Sequence, residues 1–578
     1  MKNYQKYYVR QIISDSAAQQ SHNLASQLKL SESLCHLLVS RGVTNTETAH
    51  RFLTPDLREI PSPLTLKGMK AATKIISEAV ESKMQVVVHG DYDVDGITGT
   101  AILVDFLQLL RLDVHYHLPN RLQEGYGLSR ESIDKLKKHV AMPAVLITVD
   151  NGISAVEEVQ YARELGFKVI VTDHHKPGQE IPQADAIINP QQKDCCFTQT
   201  NICGAAVVFF FVMAIRRVMV EQGVWQQNTM PNLKQYLDLV ALGTVADVMD
   251  LQDINRVLVK AGLEVLSLRQ RPGLQQLCNT SGLHEAFVRA DDIAFRLAPR
   301  INASGRLGYP EVAAKLLVEK EQDKARSLAQ RLEQANMERK ELEKAALEEA
   351  LQQAEQQVSI AKQGLVVYGE QWHLGVIGII ASRIVDQYCL PVIVLTDDPV
   401  TKDKLKGSGR SVAGIDLVCV LEDCSQVLDK YGGHSMAAGL SMSAGLRDEF
   451  VDLFDKNIRH KMTETIPKEL PVDMILDQKT DPAQLARELK LMEPFGAANH
   501  EPIFLLQQIR LEQVTTIKDH LKFSVRIGGK RVQGIGFFMA ALIDITAKPV
   551  DLCFTLRETM YRNRTRIEVR AEGVFLTA

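Results

Sequence analysis

The sequence lacks the features that would place it in a membrane or outside the cell. No stretch approaches the roughly 18 apolar residues needed to cross a bilayer, and the opening MKNYQKYYVRQIISDSAAQQ carries neither an apolar core nor a small-residue cleavage site. A soluble, cytoplasmic protein with no membrane partner is the expectation. The nine cysteines are scattered and include no CxxC pair, which argues against a disulfide framework or a zinc site of paired short spacings. Their one cluster, Cys195, Cys196 and Cys203, is read as small buried or loop residues. There is no GxxxxGK(S/T) phosphate loop, so a motor or helicase is disfavoured. Internal repeats and low-complexity tracts are missing too. Neither sign of charge dominates: the net charge is -4, so binding to a polyanion has to rest on local sites.

What is present is an ordinary globular composition, 45% hydrophobic and 24% charged over 578 residues, enough for roughly three to five domains. Residues 1–80 read as a helical region, with SLCHLLVSRGV and ETAHRFLTP as amphipathic pieces, expected to pack on the domain that follows. In residues 81–310, MQVVVH (84–89), AVLITVD (144–150) and FKVIVTD (167–173) are β-branched runs separated by helix-like segments. That is the pattern of a parallel sheet buried on both faces. Residues 311–360 form a connecting helix without Gly or Pro, its apolar stripe running through Ala325, Leu328, Leu332, Ala335, Leu342 and Ala346. A dimeric coiled coil is the alternative for this stretch; the chain is expected to be a monomer. LVVYG and PVIVLTD mark a smaller α/β domain over 361–462, and short alternating runs over 463–578 suggest an OB-like β-barrel. The fold class is thus multidomain α/β with a terminal β domain.

The chemistry sits at the strand ends. HGDYDVDG follows the first strand, DNG the second and DHH the third, while YLDLVALGTVADVMDL delivers Asp247. In open α/β sheets ligands bind outside the carboxyl ends of the strands. Asp91, Asp93 and Asp95 alternate, so in an extended chain all three side chains point the same way. With Asp150, His174, His175 and Asp247 they make a hard-oxygen donor set with one or two imidazoles, suited to Mn²⁺ or Mg²⁺. Two such ions about 3.5 to 4 Å apart are what phosphoryl hydrolysis uses. The inference is a phosphodiester or phosphoanhydride hydrolase. His89 stands four residues before Asp93 and is either a further ligand or a satisfied strand-end histidine.

The run HGDYDVDGITGTA, then VDNGIS, TDHH and LGTVADV resembles the four motifs of the DHH phosphoesterase superfamily. Similarity continues through PNRLQEGYGLS, GAAVVFFF, APRINASGRLG, GSGRS and GGHSMAAG, towards the branch that degrades single-stranded DNA from its 5′ end. The resemblance implies an ATP-independent exonuclease of DNA repair and recombination that releases 5′-mononucleotides. It implies that 361–462 is the DHH-associated domain, with the DNA threaded through a cleft between the two α/β domains. Asp91, Asp93 and Asp150 would hold one metal and Asp95, Asp150, His174 and Asp247 the other, with Asp150 bridging and His175 at the scissile phosphate as donor or proton shuttle. Ser408 and Arg410 of the KGSGRS loop, with Arg121, would bind the 5′-phosphate. A single-stranded-DNA-binding protein and a repair helicase are the implied partners.

Other polar segments are weighed beside these. Arg300, Asn302 and Arg306 form a polar loop expected near the metals, or a helix stop; His434 sits on a small-residue turn. Trp372 and His373 offer a stacking face or serve packing between domains. Arg562, Arg564 and Arg566 alternate on a strand, a basic row of the sort that tracks a DNA backbone. Residues 503–578 hold twelve Lys or Arg against seven Asp or Glu, so the balanced total conceals a basic tail and an acidic body. The rival functions are hydrolysis of pyrophosphate, short oligoribonucleotides or cyclic dinucleotides, and an inactive replication scaffold.

Overall fold

The computed structural model describes residues 6–10, 15–121, 124–125, 127–462, 469–477, 479–561 and 564–577. The chain divides into two compact units: Thr54–Arg339 with Pro494–His500, and residues 1–53, 340–493 and 501–578. Strand β1 (Lys6–Val9) and the helices Asp15–Leu28, Glu32–Ser40 and Thr46–Leu53 belong to the second of these.

The first unit is built on five parallel strands, β2 (Val86–His89), β3 (Val114–His117), β4 (Ala144–Val149), β5 (Phe167–Thr172) and β6 (Ala186–Ile188), in the order β3-β2-β4-β5-β6. In β2 the Val86 and Val88 side chains join one apolar core and Val87 the other, so β-branched residues are used on both faces. The helices Gly204–Glu221 and Leu237–Ala246 are buried nearly all round, which is why their sequences are apolar without a stripe. Every parallel strand runs the same way, so the acids after β2, β4 and β5 collect at one edge.

The connecting segment differs from a single helix. Glu319 is extended, and its Oε1 accepts hydrogen bonds from the Lys320 and Glu321 N–H groups at 2.8 and 2.9 Å. This stops one helix at Val318 and starts another, Gln322–Ser359. Ala325, Ala329 and Leu332 are buried in the core of the first unit, and Ala346, Ala350 and Ala354 in a core of the second. The alanine stripe is therefore covered by the chain itself, which removes the seam a coiled-coil partner would need.

In the second unit β7 (Leu365–Gly369), β8 (Val392–Asp397), β9 (Lys404–Arg410), β10 (Lys430–His434) and β11 (Ala437–Ser443) form a sheet of order β10-β11-β9-β8-β7. Short β12 (Glu469–Val472) pairs with β1 in parallel. The terminal sheet contains β13 (Met474–Ile475), β14 (Phe504–Ile509), β15 (Glu512–Ile517), β16 (His520–Ile527), β17 (Lys530–Gly536), β18 (Val550–Tyr561) and β19 (Arg564–Leu576), ordered β13-β14-β18-β19-β17-β16-β15. The expected classes, a parallel-sheet domain, a smaller α/β domain and a β domain, are all present.

The N-terminal region divides. Leu66, Met69, Ala72, Ile76 and Ala79 lie in the core of the parallel-sheet domain with Val86 and Val88. Residues 1–53, by contrast, belong to the other unit: β1 adds to β12, Arg10 Nη1 meets Asp473 Oδ1 at 3.1 Å, and Ser31 Oγ donates to Glu488. These partners lie more than 450 residues away, beyond what local periodicity records. Among the described residues no helix is long and apolar enough to cross a membrane.

Candidate active site

Asp91 follows β2, and Asp93 is the N-cap of helix Val94–Leu109, accepting from the Asp95 and Gly96 N–H groups at 2.9 and 3.1 Å. The chain therefore turns helical at Val94, and the three aspartates do not share one direction as an extended segment would. Asp95 is carried onto the first helical turn, where its oxygens accept from the N–H groups of Gly204 (2.5 Å) and Ala205 (2.8 Å) at the start of helix Gly204–Glu221. A helix N-terminus supplies positive partial charge to a carboxylate. Gly243 faces the same group, since a Cβ there would lie 2.6 Å from Asp95 Oδ1.

Asp150 follows β4 in a left-handed conformation, φ 63°, and Asp247 caps the helix Leu237–Ala246. His174 Nε2 lies 3.1 Å from Asp150 Oδ1, 3.7 Å from Asp95 Oδ2 and 3.6 Å from Asp247 Oδ2. Three overlapping sets have donor atoms within 4.8 Å of one another: Asp91, Asp93 and Asp150; Asp95, His174 and Asp247; Asp150, His174 and His175. His89 is buried and belongs to none of them. No such set among the described residues includes a cysteine.

Burial, and then mutual repulsion, push the Asp91, Asp93 and Asp150 carboxyls above their ordinary range, and Asp247 up to about 8. Burial holds the His174 imidazole below its usual value. Among the described residues none donates a hydrogen bond to buried Asp91 Oδ1. Buried acid oxygens left in this state fit a divalent cation, and the oxygen-rich set with one or two imidazoles suits Mn²⁺ or Mg²⁺.

One residue escaped the sequence argument. Asp173, the first acid of TDHH, belongs to no metal-holding set and accepts from Ile153 N–H (2.9 Å), His174 N–H (2.7 Å), His175 N–H (3.1 Å) and His175 Nδ1 (2.8 Å). Burial opposes its charge, yet these donors hold its carboxyl below the usual range. Burial also opposes charge on His175, but the Asp173 bond and the surrounding acids raise its imidazole to about 9. The signal available in the sequence was that this acid directly precedes both histidines.

The remaining candidates divide. Arg121 is exposed, its guanidinium 5.4 Å from the centroid of the Tyr92 ring between Asp91 and Asp93. PRINASGRLG is no loop: Ala298–Arg306 is a helix preceded by the π-helical turn Ile293–Leu297. Its Gly305 abuts Tyr92, since a Cβ would lie 2.4 Å from the Tyr92 carbonyl oxygen. Asn302 and Arg306 are half-buried on that helix. Arg300 is committed elsewhere, with Nε on Glu333 and Nη1 on the Arg296 carbonyl at 2.6 Å.

GSGRS is likewise no loop but part of β9, in the middle of its sheet. Gly407 and Gly409 turn to the apolar side, where a Cβ would lie within 2.7 Å of Leu395 and 2.5 Å of Ile393. Ser408 and Arg410 turn to the other face, against Gly378 of helix Leu374–Tyr388. His434 pairs across the sheet with Ala437, and Ala437 with Arg410, so His434 and Arg410 share a face. Trp372 is buried with Ala346, Ala350 and Val376, and its Nε1 donates to Glu349 Oε2 at 3.0 Å, so it packs and offers no face to a base. The His373 ring caps that helix, accepting from Gly375 N–H at 3.0 Å. Arg562 lies outside the described residues; Arg564 and Arg566 are on β19, Arg566 exposed.

Fold and site together define a DHH-family protein: residues 85–244 match the DHH family, N-terminal domain, and residues 361–460 the DHHA1 domain. Residues 472–573 match the RecJ OB domain. The Single-stranded-DNA-specific exonuclease RecJ of Escherichia coli (strain K12) is 35% identical over 562 residues, 94% of this chain and 95% of the relative. That of Bacillus subtilis (strain 168) is 34% identical over 522 residues, 89% of this chain; the match spans only 64% of that longer relative. The crystal structure of Thermus thermophilus RecJ with Mn²⁺ matches with TM-score 0.82 and 31% identity, covering 99% of this chain and 80% of that one. The same protein with Mg²⁺ matches with TM-score 0.76 and 29% identity, covering 99% and 78%. The chain belongs to the RecJ family.

Proposed function

We propose that this chain is a metal-dependent exonuclease that degrades single-stranded DNA 5′ to 3′ to 5′-mononucleotides, in DNA repair and recombination. The observation that carries this reading is the meeting of Asp91, Asp93, Asp95, Asp150, His174, His175 and Asp247 in three overlapping donor sets. Asp91, Asp93 and Asp150 are proposed to hold one Mn²⁺ or Mg²⁺, and Asp95, Asp150, His174 and Asp247 a second. When bound, such ions polarise the phosphate and lower the pKa of the attacking water.

The side chains do the rest. His175, held by Asp173, offers a proton-bearing imidazole to a phosphate oxygen or leaving group. Ser408 and Arg410 are proposed to recognise the 5′ end, because guanidinium groups bind phosphate oxygens in pairs. Arg121, Asn302, Arg306 and His434 are proposed substrate contacts, and Arg564 and Arg566 DNA-backbone contacts with Arg562. For Arg300 the engagement with Glu333 favours a structural role. We also propose a cytoplasmic monomer that works with a single-stranded-DNA-binding protein and a repair helicase.

The test is digestion of end-labelled single- and double-stranded DNA, with and without a 5′-phosphate, in Mn²⁺ and in chelator. Metal-dependent release of mononucleotides from the 5′ end of single strands alone is expected. Preferential hydrolysis of pyrophosphate or cyclic dinucleotides would overturn the reading.

A further inference from the structure

Tyr92 stands in the chain between two metal-holding acids, Asp91 and Asp93, and takes no part in the chemistry proposed above. Its backbone is fixed from both sides. Asp93 caps the helix that follows, and Gly305 packs so closely that a Cβ there would lie 2.4 Å from the Tyr92 carbonyl oxygen. The residue is half-buried, with the Arg121 guanidinium over its ring, 5.4 Å from the centroid.

The segment carrying Arg121 is tied down on either side of it. Asn120 Nδ2 donates to the Gly308 carbonyl at 2.8 Å, just beyond the helix that bears Gly305. The Glu124 N–H donates to the Asn120 carbonyl at 2.7 Å, and the Glu124 carboxylate meets His117 Nε2 at 2.8 Å and Lys135 Nζ at 3.2 Å. The Arg121 side chain is nevertheless exposed, and among the described residues no carboxylate lies in ion-pair range of it. An arginine beside a cluster of acids is drawn onto them unless something else holds it. A guanidinium stacked on a ring is held by its flat face and keeps its N–H edge for a bidentate acceptor, whereas a carboxylate partner would occupy that edge.

We propose that Tyr92 is a positioning residue whose ring holds the Arg121 guanidinium beside the metal-holding acids, leaving its N–H edge for a phosphate oxygen of the bound strand. This rests on the proposed action on single-stranded DNA, and it assigns a role to a side chain that neither holds metal nor touches the strand. The ring carries the effect, and the hydroxyl is dispensable to it.

The experiment compares the full chain with Tyr92→Leu, Tyr92→Phe, Arg121→Ala and the Tyr92→Leu/Arg121→Ala double variant, by affinity for a short labelled oligothymidylate in EDTA at several salt concentrations. Tyr92→Leu keeps apolar bulk and loses the π-face. It is expected to weaken binding roughly three- to tenfold, the size of one cation–π contact. It should also flatten the slope of log affinity against log salt by up to about 0.7, one phosphate contact on a single strand, although no charge is removed. Arg121→Ala should flatten the slope equally, and the double variant should bind no more weakly than Arg121→Ala alone. Tyr92→Phe, which keeps the ring, should restore affinity and slope. Mn²⁺ affinity of the DNA-free proteins, by titration calorimetry, should be unchanged throughout. Additive losses in the double variant would put Tyr92 on the strand itself, and an unchanged salt slope or a loss of Mn²⁺ affinity in Tyr92→Leu would make its role structural; each overturns the proposal. If wild type neither binds nor digests single-stranded DNA, the failure belongs to the proposed function instead.

Discussion

Asp173 Oδ1 accepts the His175 Nδ1–H at 2.8 Å, and the two backbone N–H groups of the histidine pair converge on the same oxygen. The carboxylate fixes Nδ1 as the inward nitrogen, so any contact His175 makes with substrate goes through Nε2. Asp173 is a positioning residue, since it reaches no metal-holding set of its own.

Asp173→Asn keeps the shape but loses the charge. Turnover on single-stranded DNA should fall roughly 10- to 100-fold, as for other residues that orient a metal-site histidine, while KM changes little. A change confined to KM would mean that Asp173 acts on substrate binding and not on His175.

The acid cluster should make the metal-free protein sensitive to pH. A carboxyl whose folded pKa lies above its unfolded value contributes stability at low pH that is lost as pH rises through the folded pKa. For Asp91, Asp93 and Asp150, raised by burial, and Asp247, raised to about 8, the loss runs upward from about pH 4. His175, raised to about 9, adds loss in the same direction at higher pH. His174 is lowered, so its contribution is present above its unfolded pKa and lost as pH falls. Melting in EDTA should therefore show a decline from pH 6.5 towards about pH 8, and the gain on adding Mn²⁺ should grow over that range. A metal-induced gain independent of pH would contradict it.

Removing either partner of the Arg300–Glu333 pair should destabilise the protein. The side chains are 11% and 27% exposed, and breaking a largely buried pair costs about 2 to 4 kcal/mol. Thermal or urea unfolding of Arg300→Ala measures this. A variant with wild-type stability and weakened DNA binding would return Arg300 to the substrate.

On β9 the two residue types should separate. Gly409→Ala drives a Cβ to 2.5 Å from Ile393 and 2.7 Å from Leu417, an overpacking worth about 1 to 3 kcal/mol in melting experiments. Arg410→Ala should leave the melting temperature near wild type and abolish the preference for a 5′-phosphorylated over a 5′-hydroxyl end. Preserved discrimination would exclude Arg410 from end recognition.

Parallel strands, their acidic ends and the terminal β runs were legible because each is a local pattern: β-branched runs, strand-end aspartates, alternating hydrophobicity. The resemblance to DHH motifs rested on those same short stretches. Three readings failed where one local pattern permits two structures. Asp91, Asp93 and Asp95 alternate as on a strand, but the cap at Asp93 begins a helix and sends Asp95 to Gly204 and Ala205. The glycines of GSGRS suggest a loop, yet they are there because Leu395, Leu440, Ile393 and Leu417 leave no room for a Cβ on one face of β9. The small polar residues of PRINASGRLG form a helix against Tyr92.

By itself, then, the sequence determined the kinds of domains, the donor types at the strand ends and the basic excess of the terminal segment. Tertiary structure alone decided which donors meet, that Arg300 is taken by Glu333, that β1 pairs with β12, and that Arg121 lies over the ring of Tyr92. The physical reason is distance along the chain. Periodicity reports which side of its own element a residue faces, whereas a contact between elements is set by the packing of everything that folds between them.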